Sequence, residues 1–115
     1  MRKKLTILLV VTLFITMMFS TGCKKKFDIQ GIWTVSYTWS NSGTGTTTIT
    51  FTGSKTSGTF SSQKYTGTYT VNDKSVTWRY TSGTTYTGTS TDDNNMSGTM
   101  IGHKGGTGTW TAVRK

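Results

Sequence analysis

The feature that most constrains the fold of this chain is a two-residue alternation that starts near Ile32 and runs through the rest of the sequence. In the segment 65–71, for example, Tyr, Gly, Tyr and Val alternate with three threonines. Successive side chains of a β-strand point to opposite faces of the sheet, so this period puts aromatic, apolar and glycine residues on one face and hydroxyl groups on the other. No segment after residue 30 has the 3.6-residue apolar period of a helix. The alternation therefore predicts an all-β domain.

Eight short runs carry this pattern, and turn-forming residues separate them. They are 32–39, 46–52, a weak run around Phe60, 65–71, 75–80, 84–90, a run with Met96, Gly98 and Met100, and a run with Gly108, Trp110 and Ala112. Short runs with short links favour antiparallel pairing between sequence neighbours, and closure of eight strands removes the exposed edges of the sheet. We therefore predict an eight-stranded antiparallel up-and-down meander barrel, with a β-sandwich as the alternative.

The aromatic face is expected to point inward, because each aromatic side chain buries about 150–250 Å². Gly67, Gly88, Gly98 and Gly108 lie on this same face near the strand centres, where a strongly curved sheet has least room. If the glycines leave space inside the barrel, the aromatic residues form the wall of a ligand cavity. The candidate wall residues are Trp39, Tyr69, Trp78, Tyr80, Tyr86 and Trp110.

The N-terminal segment has a different character. Arg2, Lys3 and Lys4 precede the apolar run 5–19, which is shorter than the roughly 20 residues of a spanning helix, and Ser20-Thr21-Gly22-Cys23 follows it. This order resembles a bacterial lipoprotein signal peptide. The resemblance implies a helical signal peptide over 1–22, a lipid on Cys23, a basic tether over 23–29 and a barrel domain over 30–115. It also implies attachment to a membrane of the bacterial cell envelope, with the outer membrane as the preferred site.

A second resemblance begins at the first strand, which opens with Gly31-Ile32-Trp33. This tripeptide resembles the Gly-x-Trp signature of lipocalins and other calycin barrels. In that superfamily an arginine of the final strand packs across the opening tryptophan, and Arg114 is the corresponding residue here. The resemblance implies that Gly31, Trp33 and Arg114 have a structural role at one end of the barrel, with a cation–π pair between the last two.

Groups for catalysis or metal binding are sparse. His103 lies in a glycine-rich turn without a carboxylate near it in sequence, and the four aspartates lie in the tether or in turns. General acid–base chemistry needs positioned pairs, and a metal site needs three or four ligands. We therefore expect no enzyme activity, no catalytic residues, no metal and no cofactor.

The remaining function classes are binding and structural. The thirteen lysines and arginines exceed the four acidic residues, but they are scattered through turns and the N-terminal segment, so no nucleic-acid partner is expected. The first hypothesis is a membrane-anchored binding module for a small apolar or amphipathic ligand. The alternative is a protein-interaction, inhibitor or structural envelope lipoprotein with a filled barrel, whose loop contacts to an envelope protein are Lys55, Lys64, His103 and Lys104.

Overall fold

The computed structural model describes residues 27–115, and these residues form a closed barrel of eight antiparallel strands in sequence order. The strands are β1 (Gly31–Trp39), β2 (Gly43–Gly53), β3 (Ser57–Ser62), β4 (Tyr65–Asn72), β5 (Ser75–Tyr80), β6 (Thr85–Asp92), β7 (Asn95–Ile101) and β8 (Thr107–Arg114). The signal peptide predicted over 1–22, the lipidation of Cys23 and the lysines 24–26 of the tether lie outside the described residues. Within residues 27–115 no helix is long and apolar enough to cross a membrane.

Pairing between the first and last strands closes the barrel. β1 pairs with β2 from Gly31 to Trp39 and with β8 from Trp33 to Trp39, so both of its edges are hydrogen-bonded. Every other strand pairs with its two sequence neighbours. The predicted meander barrel is confirmed, and the sandwich alternative is wrong because two separate sheets would leave β1 and β8 unpaired.

The second strand is longer than its hydrophobic pattern indicates. It starts at Gly43 rather than at residue 46, because Gly43 and Gly45 pair with Trp39 and Tyr37 of β1. The Tyr37 ring occupies the space that a side chain at Gly45 would need. Glycine therefore extends this strand instead of ending it, which is why a rule that assigns glycine to turns misplaces the boundary.

The interior holds the aromatic and apolar side chains of all eight strands, and two residues that precede β1 join it. Phe27 and Ile29 are 7% and 0% exposed. Both lie in the range 23–29 that the sequence analysis assigns to the tether, and both pack with the core of the barrel. The alternation of the strands did not reveal them because they lie before the first strand.

Two of the inward glycines allow neighbouring strands to pack closely and leave room for the Trp110 ring. Gly88 and Gly98 are register partners on β6 and β7, and a side chain on either would collide with the backbone of the opposite strand. The Trp110 ring lies over Gly88, and its indole nitrogen donates to the carbonyls of Thr87 (3.2 Å) and Thr99 (2.9 Å). These glycines accommodate a tryptophan against the wall of the barrel rather than leaving an empty space.

The outer face carries rows of hydroxyl groups in register. Thr38, Thr109, Thr99, Thr87 and Thr77 are successive cross-strand partners on five neighbouring strands. β-Branched threonine suits a pleated surface, and its hydroxyl remains hydrated there. This row of the outer face is thus polar without being charged.

Candidate functional site at the open end of the barrel

The two ends of the barrel are built from different connections. In a meander the turns alternate between the ends, so the β1–β2, β3–β4, β5–β6 and β7–β8 turns share one end, which we call the open end. The segment 27–30 and the β2–β3, β4–β5 and β6–β7 turns share the other, which we call the closed end. A cavity lies at the open end, between the ends of the strands.

The cavity at the open end, which we call the mouth, has a volume of about 470 Å³. Its lining combines aromatic rings with hydroxyl, amide and imidazole groups. The lining residues are Tyr37, Trp39, Thr46, Thr47, Ser62, Gln63, Tyr65, Tyr80, Ser82, Thr84, Tyr86 and His103. This volume and this mixture of apolar walls and polar groups are typical of small-molecule sites.

Contacts between turns hold the rim of the mouth. A Cβ on Gly102 would lie 3.4 Å from the Trp39 ring, so the β7–β8 turn packs directly against that tryptophan. The same turn contacts the β5–β6 turn, since a Cβ on Gly83 would lie 3.1 Å from the Cβ of His103. Gly83 has a φ of 111°, which favours glycine. Its lack of a side chain also makes room for His103.

Three tyrosine hydroxyls converge in the mouth. Burial raises the pKa of Tyr86 well above its ordinary value, and the neighbouring hydroxyls of Tyr80 and Tyr37 raise it further. Burial also raises the pKa of Tyr80, and Tyr37 adds to this, while a hydrogen bond with Ser62 acts in the opposite direction. Phenols are un-ionised near neutral pH even at their ordinary pKa, so Tyr80 and Tyr86 can donate hydrogen bonds to a ligand.

A short polar chain lines the side of the mouth next to these phenols. Ser62 is only 3% exposed, and its hydroxyl lies 2.8 Å from that of Thr47. Both side chains belong to the inward face of their strands and line the mouth. They give the mouth two further groups that can exchange hydrogen bonds with a ligand.

Stacked aromatic rings form the floor of the mouth. Tyr86 lies parallel to Trp78, with ring centroids 5.0 Å apart and 14° between the planes, and Trp110 packs against Trp78 at 4.7 Å. Below them Phe51 contacts Trp78 at 5.2 Å and Tyr69 at 5.4 Å. The rings fill the centre of the barrel, so the cavity is a shallow cup rather than a channel along the barrel axis.

One buried polar atom in this floor has no partner. Among residues 27–115, the indole nitrogen of Trp78 is the buried side-chain donor without a hydrogen-bond acceptor. Trp78 itself is 0% exposed. Leaving such a donor unpaired typically destabilises a fold by about 1–3 kcal/mol.

The six candidate wall residues divide into two groups. Trp39, Tyr80 and Tyr86 line the mouth. Tyr69, Trp78 and Trp110 do not, because they are buried in the filled interior, and the Tyr69 hydroxyl donates to the carbonyl of Ser54 at the closed end.

At the closed end Arg114 joins three parts of the chain. Its guanidinium carbon lies 4.5 Å from the Trp33 ring centroid, and the Trp33 indole nitrogen donates to the Ile29 carbonyl at 2.8 Å. The Arg114 guanidinium donates to the carbonyls of Asp28 (2.7 Å), Gln30 (2.8 Å) and Asp93 (2.8 Å). Gly31 makes room for it, since a Cβ there would lie 3.3 Å from Nη1. This network seals the end of the barrel opposite the mouth.

The four candidate loop contacts are not a single set. Lys64, His103 and Lys104 lie in the β3–β4 and β7–β8 turns at the open end. Lys55 lies in the β2–β3 turn, at the closed end. Residues 27–115 hold no cluster of three potential metal ligands.

Several residues of the mouth are not among the site residues predicted from the sequence. Tyr37, Thr47 and Ser62 lie on the inward face of their strands, and Gln63 and Ser82 lie in the adjoining turns. The alternation tells which face a side chain occupies, but it does not tell how deep along the barrel axis that side chain lies. The parity of the turns does, because residues next to odd-numbered turns must lie at the open end.

A larger hollow of about 640 Å³ runs over the outer face, where the hydroxyls of β1, β2, β7 and β8 line most of it. Hydrated threonine hydroxyls on a convex surface offer a ligand little apolar area to bury. We therefore take the mouth, with its converging rings and phenols, as the candidate functional site.

Comparisons with known proteins identify the fold. No protein-family model matches the chain, and no curated protein matches it. Among solved structures it is similar to a redesigned β-barrel, with a TM-score of 0.62 and 17% sequence identity, over 76% of this chain and 91% of that chain. This likeness concerns the fold alone: the chain is a small, closed, eight-stranded antiparallel β-barrel.

Proposed function

We propose that this protein is a non-catalytic binding module, anchored to a membrane of the bacterial envelope, that takes a small amphipathic molecule into the mouth. The observation that supports this most is the cavity of about 470 Å³ with aromatic walls and neutral hydrogen-bond donors at one end of an otherwise filled barrel. A cleft of this size with apolar walls and a few polar groups is the usual form of a small-molecule site.

The anchor is part of the same proposal. The lipoprotein-like segment ends at Cys23, a few residues before Phe27, and Phe27 packs at the closed end against Trp33 with ring centroids 6.0 Å apart. A diacyl anchor on Cys23 would therefore hold the closed end towards the lipid and leave the mouth facing away from it. Two acyl chains are sufficient for durable attachment. We propose the outer membrane as its site.

The lipocalin-like character is also proposed. It is supported by Gly31-Ile32-Trp33 at the start of β1 and by Arg114 stacked on Trp33 at the end of β8. Lipocalins hold ligands at the open end of a barrel, and the mouth is the corresponding place in this chain.

Tryptophan fluorescence of the full chain tests ligand binding. Trp39 lines the mouth, whereas Trp33, Trp78 and Trp110 are at most 2% exposed. A panel of small amphipathic compounds should contain at least one that saturably changes the emission, and Trp39→Phe should lose most of that change. If no compound changes the emission, or if the response is identical in Trp39→Phe, the mouth is not the ligand site.

Metabolic labelling with a palmitate analogue tests the anchor. The full chain should incorporate the label, and Cys23→Ala should not. Label that remains in Cys23→Ala would contradict the lipoprotein proposal without affecting the proposal of a ligand in the mouth.

A second candidate function is recognition of an envelope protein through the basic turns. The observation in its favour is that Lys64, His103 and Lys104 share the open end. A cross-linking experiment on intact cells should then capture a defined partner that Lys64→Gln/Lys104→Gln loses and Lys55→Gln keeps. A partner retained by both variants would contradict this assignment.

A further inference from the structure

The two ends of the barrel differ in their charges. Among residues 27–115, the side-chain carboxylates are those of Asp28, Asp73, Asp92 and Asp93, and all four lie at the closed end: before β1, in the β4–β5 turn and in the β6–β7 turn. The four turns at the open end carry Lys64, His103 and Lys104 and no carboxylate. Strands of this length separate the two ends by roughly 20 Å.

This separation means that the mouth is influenced by cations alone. Charges are screened over about 8 Å at physiological ionic strength, so the aspartates at the far end do little to offset the lysines beside the mouth. An anion entering the mouth is therefore attracted by Lys64 and Lys104 and is not repelled by any nearby carboxylate.

The lining of the mouth adds hydrogen-bond donors to this charge. Tyr37, Tyr80 and Tyr86 all line it, and a phenol is un-ionised near neutral pH. Phenol hydroxyls donate hydrogen bonds, and those to an ionised acceptor are roughly twice as strong as those to a neutral one. Donation from these phenols therefore favours a carboxylate over an alcohol.

The floor of the mouth limits the shape of the ligand. Because Tyr86 stacks on Trp78 and the rings below them fill the barrel, an extended chain cannot run along the barrel axis. The half-buried rings of Trp39 and Tyr80 stand at the sides of the cup, where they can stack against a flat apolar body. The ligand is therefore compact.

We propose that the mouth binds a compact anion that carries a ring, with the ring against Trp39 and Tyr80 and the acid group directed to the phenol hydroxyls and the basic turns. This inference rests on the proposed binding function and specifies the chemical class of the ligand. The acid group provides the affinity for the donors and lysines, and the ring provides the apolar area.

The test compares four probes by calorimetric titration of the full chain in detergent: naphthalene-2-carboxylate, its neutral analogue 2-naphthalenemethanol, octanoate and palmitate. We expect the naphthalene carboxylate to bind at least tenfold more tightly than the alcohol, and palmitate to bind no more tightly than octanoate, because only the first part of a chain fits the cup. The preference for the carboxylate should fall as salt is raised from 50 mM to 500 mM.

Two charge variants locate the effect. Lys64→Gln/Lys104→Gln should reduce the preference for the carboxylate at least threefold, and the matched pair Lys55→Gln/Lys74→Gln at the closed end should leave it unchanged. Tyr86→Phe, which keeps the ring and removes one donor, should weaken the carboxylate more than the alcohol.

The outcomes separate this inference from the proposed function. Equal affinities for carboxylate and alcohol would overturn the preference for an anion while leaving a binding cup in place. Tighter binding of palmitate than of octanoate would overturn the compact shape. An absence of binding by all probes would overturn both the anion proposal and the binding function, and a preference that depends on Lys55 and Lys74 would move the site to the other end of the barrel.

Discussion

The closed and open ends of this barrel solve the same problem in opposite ways. At each end of the barrel, the aromatic interior meets the solvent. The closed end covers this interior with a buried tryptophan, a guanidinium that donates to three backbone carbonyls, and the side chains of Phe27 and Ile29. The open end leaves its rings partly exposed around a cavity. The comparison teaches that stability and recognition are placed at different ends, so they should respond to different substitutions.

The largest contrast is expected between two tryptophans of β1. Trp33→Ala should reduce the free energy of unfolding by about 3–5 kcal/mol, because it removes a fully buried ring. The ring's stacking contact with Arg114 and its hydrogen bond to the Ile29 carbonyl are lost with it. Trp39→Ala at the half-exposed open end should reduce the free energy of unfolding by about 1 kcal/mol. Denaturation in guanidinium chloride measures both, and equal losses would contradict the division between the ends.

The second contrast concerns two arginines. Arg114→Gln should destabilise the protein by about 2–3 kcal/mol, since it removes the cation–π contact and several hydrogen bonds to carbonyls. Arg114→Lys should recover little, because an ammonium cannot span carbonyls that a planar guanidinium reaches together. Arg79→Gln, at an exposed position of β5, is the matched control and should change stability by less than about 0.5 kcal/mol. A control loss as large as that of Arg114→Gln would contradict this reading.

A smaller difference in stability should appear between two tryptophans of the aromatic interior, Trp110 and Trp78. Trp110→Phe removes a donor shared by the carbonyls of Thr87 and Thr99, whereas Trp78→Phe removes a donor that has no acceptor. Both lose similar volume, so Trp110→Phe should be the more destabilising by about 1 kcal/mol. Thermal denaturation of the two variants side by side measures this, and the reverse order would show that the Trp78 nitrogen is satisfied in solution.

The smallest expected effect is on the pH dependence of stability: it is absent at neutral pH and appears only at alkaline pH. The pKa values of Tyr80 and Tyr86 are raised above 10.0 in the folded protein, so the folded state holds these protons more tightly than the unfolded chain. Their contribution to stability is complete below pH 10 and is lost as the pH rises above that value. The melting temperature of Tyr80→Phe/Tyr86→Phe should therefore fall less steeply above pH 10 than that of the unchanged protein. Parallel curves would mean that the phenols of the mouth are not buried in solution.

The fold followed from the sequence because one pattern controlled it. Alternation of rings and threonines fixed the inward and outward faces, and short links between eight strands favoured closure. Two kinds of information were missing. Phe27 and Ile29 lie before the first alternating run, so nothing in the period marked them as core, and Gly43 and Gly45 resemble turn residues although they pair with Trp39 and Tyr37.

The site was harder to predict than the fold because depth along the barrel axis leaves no local trace in the sequence. Trp39 and Trp110 are both inward tryptophans, yet one lines the mouth and the other lies in the filled interior. Trp39 is the last residue of β1, beside an open-end turn, whereas Trp110 lies in the middle of β8. The parity of the turns was available in the sequence, and it would have separated Lys55 from Lys64 and Lys104.

The pairing of β1 with β8 has a consequence for the way this chain acquires its structure. The contact that completes the barrel joins Trp33 to Arg114, which are among the most distant partners in the sequence. Bringing such distant segments together carries a large loop-closure entropy and is a slow step in folding. One edge of β1 therefore stays unpaired until β8 has folded against it. During that interval the partly folded chain is most prone to pair this edge with a strand of another copy.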